Sequence, residues 1–139
     1  MKKPIALILT DTHLHEGNIE LVVNIFNQAV ECCKKHNINT IYHLGDWFTS
    51  RKAQSLAVLK ATSTIIEMFK DNSIVCNIIK GNHDAVQSDT EESYLDIFES
   101  PDFLVYKKQQ LIRHDNLNLN LLPYFKEDGS YRERLDKLF

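Results

Sequence analysis

Three short, mostly apolar runs punctuate the first eighty positions, and each gives way abruptly to small and polar residues. Ile5-Ala6-Leu7-Ile8-Leu9 leads into Thr10-Asp11-Thr12-His13. Ile41-Tyr42-His43-Leu44 leads into Gly45-Asp46, and Ile74-Val75-Cys76-Asn77-Ile78-Ile79 leads through Lys80 into Gly81-Asn82-His83-Asp84. Runs of this length read as strands over 5–9, 40–44 and 74–79, the first apolar throughout and so expected to be buried on both faces. Between them the period changes. From Gly17 to His36 the apolar positions Ile19, Val22, Val23, Phe26, Ala29, Val30 and Cys33 recur at three- and four-residue spacing, with Asn18 as N-cap and Asn37 as stop. Ser55 to Lys70 repeats the helical pattern, with Leu56, Leu59, Ile65, Ile66 and Phe69 facing inward. Strand and helix in alternation predict an α/β fold on a parallel sheet, whose ligand site lies at the carboxyl ends of the strands.

After residue 88 the pattern is less regular. Asp89 with Glu92 reads as a capping box opening a short helix through Phe98, closed by Pro101. Short β-like runs follow at Phe103–Tyr106 and Gln109–Arg113, with Lys107 and Lys108 taken as a hairpin turn between them. Leu117–Leu121 alternates strictly and predicts a half-buried strand. Past Pro123 and Gly129, Ser130 with Glu133 predicts one more helix, carrying Tyr131, Leu135 and Leu138 and running to Phe139 without a stop signal. That ending reads as a cut.

Composition narrows the class. At 139 residues, 43% hydrophobic and 25% charged, the chain suits one globular domain with a core that needs no disulfides. The net charge of −3 gives no bulk attraction to nucleic acid or anionic membrane. Cys32, Cys33 and Cys76 have neither disulfide-framework nor CxxC spacing, and read as small buried residues in a reducing compartment. No apolar stretch approaches the ~20 residues of a membrane span, and the run behind Met1-Lys2-Lys3 is too short for a signal peptide. A cytoplasmic protein is expected.

The polar residues after the three runs carry the chemistry. In an extended backbone Asp11 and His13 point to the same side, so they can grip one cation together. Asp11, His13, Asp46 and Asn82 are hard oxygen donors plus one imidazole, a mixture suited to Mn²⁺, Fe²⁺ or Zn²⁺ and poor for a thiolate zinc site. A carboxylate such as Asp46, arriving from the middle strand, is placed to bridge two ions. Two ions roughly 4 Å apart can activate a water and clamp both oxygens of an in-line displacement at phosphorus. His83 is then free to steady phosphoryl oxygens or protonate a leaving oxygen, with Asp84 orienting its ring. Each motif alone is weak, since a Gly-Asp or Gly-Asn-His-Asp after a strand is often only a turn. Three in this order, each behind a strand, are not.

Asp11-Thr12-His13, Gly45-Asp46 and Gly81-Asn82-His83-Asp84 resemble the first three motifs of the calcineurin-like metallophosphoesterase family. Asp-Thr-His-Leu, Gly-Asp-Trp-Phe, Gly-Asn-His-Asp and the later Leu122-Pro123-Tyr124 are most similar to SbcD-type nuclease subunits. The resemblance implies a β-sandwich flanked by helices and a two-metal hydrolase, with Mn²⁺ as the favoured ion. It assigns Asp11 and His13 to the first metal, Asp46 to the bridge, Asn82 to the second metal, and His83 to the catalytic imidazole. The family's later Gly-His and Gly-His-x-His motifs, which supply further histidine ligands, are absent from these 139 residues. The fold is therefore expected to be incomplete, its carboxyl-terminal half missing, and the isolated chain weakly active. The partners implied are DNA as substrate, in repair or phage recombination, and an SbcC-type ATPase subunit, with a second copy of the chain as a further candidate.

Other residues are less decided. His15, on the side of His13 if the backbone stays extended, either approaches substrate or is a solvated loop residue. Arg51 and Lys52 either meet a phosphate backbone or are solvated charges opening a helix. Trp47 and Phe48 are read as packing for the loop ahead of a base-stacking role, His36 as a helix-end residue, His43 as a strand residue packed beside the site, and His114 matches no motif. Two rival functions stay open: a small-molecule phosphodiesterase or phosphatase of the same superfamily, and an inactive module that binds a partner through uncovered surfaces.

Overall fold

The computed structural model describes residues 3–87, 90–125 and 130–137, the Ser130 side chain excepted. Strands β1 (Leu7–Leu9), β2 (Thr40–His43), β3 (Val75–Ile79) and β4 (Phe103–Tyr106) form one parallel sheet in that order. Helix α1 (Ile19–His36) joins β1 to β2, and α2 (Leu56–Asp71) joins β2 to β3. Because sheet order follows chain order, crossovers of one hand put both helices on the same face. There α1 packs on α2, with Phe26 and Phe69 edge to face at 5.6 Å. Val30, Cys33 and Ile65 close the core from the helices, against Ile41, Cys76, Ile78 and Phe103 of the strands.

The other face carries a second, smaller layer. Strands β5 (Gln110–His114) and β6 (Leu117–Leu121) pair antiparallel around Asp115-Asn116, with Asp115 at φ 53°. Successive strand residues alternate faces, so Tyr42 points away from the helices that Ile41 and His43 meet. Its hydroxyl lies 3.0 Å from His114 Nδ1 of the hairpin. The result is an α/β fold of two sheets with helices outside the parallel one. Helix α3 (Ser130–Asp136) follows.

The helix ends follow local chemistry. Asn37 takes the left-handed conformation at φ 52° and closes α1 with bonds to the carbonyls of Cys33 and Lys34. The Ser55 hydroxyl caps α2 at Val58 N. Asn18 precedes α1 but makes no cap bond; its side chain accepts from His15 N and donates to the His13 carbonyl.

Four expectations are corrected. β1 is an edge strand rather than one buried on both faces: Leu7 and Leu9 pack on the core, but Ile8 is 63% exposed on the side the hairpin leaves open. Leu56 is exposed because it is the first residue after the Ser55 cap, and Val58, Ala61, Thr62, Ile65 and Phe69 form the buried stripe. Lys107 and Lys108 are not a hairpin turn, since β4 pairs with β3 and the hairpin turns later. Lys107 instead bonds Asp96 at 2.9 Å and Lys108 lies 3.4 Å from Glu91. The helix before Pro101 is a 3₁₀ turn over Tyr94–Phe98 that begins after Glu92 and is boxed by Ser93 and Asp96. Asp89 lies outside the described residues, as do Met1, Lys2, Gly129, Leu138, Phe139 and the Ser130 side chain of the last predicted box.

Candidate metal centre

The loops behind β1, β2 and β3 meet at the carboxyl end of the sheet. Pairing continues past the first two strands: Asp11 N donates to Gly45 O at 3.1 Å, His13 N to Asp46 O at 3.0 Å, and Leu14 N to Trp47 O at 2.6 Å. Leu14, Trp47 and Phe48 are completely buried beneath these loops. Trp47 donates its indole N–H to Thr62 Oγ1 at 3.2 Å and stacks on Phe26 at 4.8 Å, so its role is packing.

Asp11, His13 and Asp46 each offer a donor atom, all within 4.8 Å of one another. Donors around one ion with bonds of ~2.1 Å lie at most ~4.2 Å apart, so a small closing movement suits this trio to a shared cation. Asn82 lines the same cleft as Asp11 and Asp46, a hollow of about 230 Å³ whose wall also includes Leu122 and Tyr124. Among the described residues no other group of three His, Cys, Asp or Glu donors meets in this way. A larger hollow of about 660 Å³ sits at the opposite, amino end of the strands, lined by Lys3, Asn37, Ser73 and His114. That puts His114 away from the centre, bonded to Tyr42.

The backbone reaches this arrangement differently from the sequence reading. Asp11, His13 and Asp46 all take positive φ, at 51°, 44° and 56°. The chain at Asp11 and His13 is therefore not extended, and their convergence comes from two left-handed turns instead of strand alternation. Such a conformation costs about 1 kcal/mol or more per residue outside glycine, least for Asp, Asn and His. Strain held at three donor positions is characteristic of a functional loop.

His83 adjoins the trio. Its backbone N–H donates to Asp46 Oδ1 at 3.0 Å, and its ring stands edge-on to His13 at 5.2 Å. Its Nδ1 lies 2.6 Å from the Thr49 carbonyl, an acceptor that fixes the proton on Nδ1 and leaves Nε2 for chemistry. Asp84 does not orient this ring, which corrects the sequence reading. Its carboxylate is buried and accepts backbone N–H groups of Asp46 and Gly81, both at 2.9 Å, and of Phe48 at 3.1 Å. Burial pushes the Asp84 carboxyl up to about 6, even though the N–H groups of Phe48 and Gly81 favour its charged form.

Thr49 was not singled out in the sequence, yet it ties all three loops: its N–H donates to Leu14 O, its hydroxyl to His13 O, and its carbonyl takes His83. Nothing in a lone Thr after Trp-Phe signals this. His43 lies completely buried under the site, with Nδ1 accepting from Gly45 N and Nε2 facing Thr12 Oγ1, both at 3.2 Å. Burial lowers its imidazole to about 3, against the pull of Asp11 in the other direction. The His15 Nδ1 accepts from Gly17 N at 3.0 Å and caps the 3₁₀ turn Glu16–Asn18. Arg51 and Lys52 are exposed in the turn before α2 and do not open that helix, which Ser55 caps.

A two-layer α/β fold thus brings an Asp-His-Asp group that could hold a metal ion to the carboxyl ends of parallel strands. The calcineurin-like phosphoesterase family model matches residues 6–137, and the chain belongs to that family. It is 29% identical over 107 residues to Exonuclease subunit 1 of Enterobacteria phage T4, a match covering 74% of this chain and 31% of that relative. In three dimensions it is similar to the crystal structure of Pseudomonas putida nuclease MPE, with a TM-score of 0.52 and 19% identity. That likeness spans 73% of this chain and 46% of the nuclease, and shows the fold. The chain thus spans less than half the length of either relative. Among the described residues, no helix is long and apolar enough to cross a membrane.

Proposed function

We propose that the chain carries the amino-terminal part of a two-metal phosphodiester hydrolase, a DNA nuclease subunit of SbcD type acting in repair or phage recombination. The observation behind this is the convergence of Asp11, His13 and Asp46 within 4.8 Å, with the His83 imidazole edge-on to His13 beside them. The name of the phage T4 relative supports a nuclease over a phosphatase. Asp11 and His13 would hold a first ion, Asp46 would be shared, and Asn82 would serve a second. Mn²⁺ is the favoured metal, since the donors are hard oxygens and an imidazole. When bound, such ions supply Lewis-acid charge for water activation and for the phosphoryl oxygens.

The chain's own residues do the rest. The Thr49 carbonyl keeps His83 Nδ1 protonated, so Nε2 accepts a proton from solvent and passes it to a departing oxygen. Exposed Arg51 and Lys52 meet flanking phosphates, and His15 stays at the rim. DNA is the substrate, an SbcC-type ATPase the partner, and the cytoplasm the location. Four side chains for two ions fall short of the four to six donors each ion takes, so the 139-residue chain alone binds metal weakly. Titration calorimetry with Mn²⁺, alongside cleavage of single-stranded DNA, double-stranded DNA and a chromogenic diester, tests this. No heat of Mn²⁺ binding even at millimolar concentration sinks the metal assignment. Preference for the diester over DNA favours the small-molecule alternative.

A partner-binding reading has one observation in its favour, the exposure of Ile8, Leu44, Leu111 and Leu117 around β1 and the hairpin. A monomer that fails to enhance an apolar dye removes it.

A further inference from the structure

We propose that Asp84 is a positioning residue that sets the spacing between Asp46 and Asn82, acting on the backbone of two loops and on neither the imidazole nor an ion. This rests on the two-metal reading above, which assigns those two side chains to the ions.

The geometry is specific. Asp84 has no exposed surface, and both its oxygens are committed to backbone donors. One oxygen, Oδ2, takes the N–H of Asp46 from the second loop and the N–H of Gly81 from the third, each at 2.9 Å. The other, Oδ1, takes Phe48 N at 3.1 Å. The loops touch backbone to backbone at this point. A Cβ on Gly81 would stand 2.2 Å from Asp46 N, and one on Gly45 would stand 2.9 Å from Gly81 Cα. The Asp84 carbonyl is itself fixed, by the Ser93 hydroxyl at 2.8 Å and Tyr94 N at 3.2 Å.

Three converging N–H groups need a group that only accepts, and a carboxylate is the side chain that does so at two oxygens. The first and second loops are already joined by strand-like pairing, whereas the second and third are tied by this carboxylate, by the His83 N–H on Asp46 and by the His83 ring on the Thr49 carbonyl. Reach and acceptor geometry are therefore the properties that matter, ahead of charge.

Two substitutions separate them. Asp84→Asn keeps the size and can keep one oxygen on Asp46 and Gly81, but turns an amide N–H₂ towards Phe48 N. Asp84→Glu keeps the charge and adds a methylene where there is no room. Metal-free amide exchange by NMR should show only the Phe48 amide deprotected in Asp84→Asn. Asp46, Phe48 and Gly81 should all exchange at least about tenfold faster in Asp84→Glu. Mn²⁺ affinity should fall only about threefold in Asp84→Asn, and about 10–100-fold in Asp84→Glu, the usual loss when a group holding a metal ligand in place is disrupted. Unchanged exchange and affinity in Asp84→Glu overturn the proposal, as does an Asn variant weaker than the Glu variant, which would make charge the cause. If the parent chain binds no Mn²⁺, the metal reading fails and the exchange pattern alone decides on Asp84. Should Asp84→Glu not fold, the Asn variant decides: loss of protection at Asp46 and Gly81 as well as Phe48 refutes the assignment of the oxygens.

Discussion

The two ends of the parallel sheet use the same strained backbone for different purposes. At the amino end, Asn37 directly after α1 and Ser73 two residues past α2 take left-handed φ, and each donates its N–H to the preceding helix. Asn37 bonds the Cys33 and Lys34 carbonyls, and Ser73 bonds Lys70. The strain there is the ordinary accompaniment of a helix stop. At the carboxyl end, Asp11, His13 and Asp46 take the same conformation with no helix to close. Each is a donor to the proposed ions. A left-handed residue that satisfies helix carbonyls is a matter of stability, while one that aims a donor into a cleft is a matter of function.

The comparison breaks most sharply at Asp46. Asp46→Asn tolerates the same φ and keeps an acceptor for His83 N, so the melting temperature should hold within about 2 °C. Loss of the bridging charge, worth several kcal/mol, should lower Mn²⁺ affinity and any diester cleavage about a thousandfold. Calorimetry and a cleavage assay on one sample check both halves; a drop in stability equal to that of a core mutant would mean Asp46 is structural.

Next in size is His83. His83→Gln should leave Mn²⁺ affinity within about threefold and cut turnover about a hundredfold, the scale of a single general acid. Equal losses in both would make His83 a ligand instead.

The third is a pH effect from beneath the site. A neutral imidazole lowered from its ordinary 6.5 to about 3 lends stability that is fully present above pH 6.5 and is lost as pH falls towards 3. By pH 4.5 that loss is about 2–3 kcal/mol. Asp84, raised to about 6, works the other way, since the folded state gains from its protonation between pH 6 and 3.8. Acid unfolding should therefore steepen below about pH 4.5, and His43→Gln should flatten that limb at the expense of some stability at pH 7. Melting curves from pH 7 to 3 read this directly.

Smallest is the control at the other end. Asn37→Gly should leave stability unchanged or slightly raised, and Asn37→Ala should cost about 1 kcal/mol, both without altering Mn²⁺ affinity. A metal defect in either would erase the distinction between the two ends.

How much of this could be read in the chain depends on the range of the cause. The strands of the parallel sheet, both long helices and the Asn37 stop follow from neighbours three or four residues away, and sequence periodicity records them. The order of the three polar loops was legible for the same reason, because parallel strands bring their carboxyl ends together. The exposure of Ile8 was not, since whether an apolar strand lies at an edge depends on what covers it. Asp84 looked like a partner for His83 because adjacent residues invite that pairing. In the folded chain its oxygens meet Asp46 and Phe48, 38 and 36 residues away. The left-handed turns at Asp11 and His13 are invisible for a related reason: Asp and His permit that conformation without demanding it.

Trp47 is the only tryptophan in the chain. It follows Asp46 directly, has no exposed surface, and lies among Phe26, His43 and Phe103. The molecule therefore carries its own optical probe next to the centre. Its emission should be blue while the second loop is seated and shift to the red as that loop lifts, so the integrity of the site can be followed in dilute solution with no label attached.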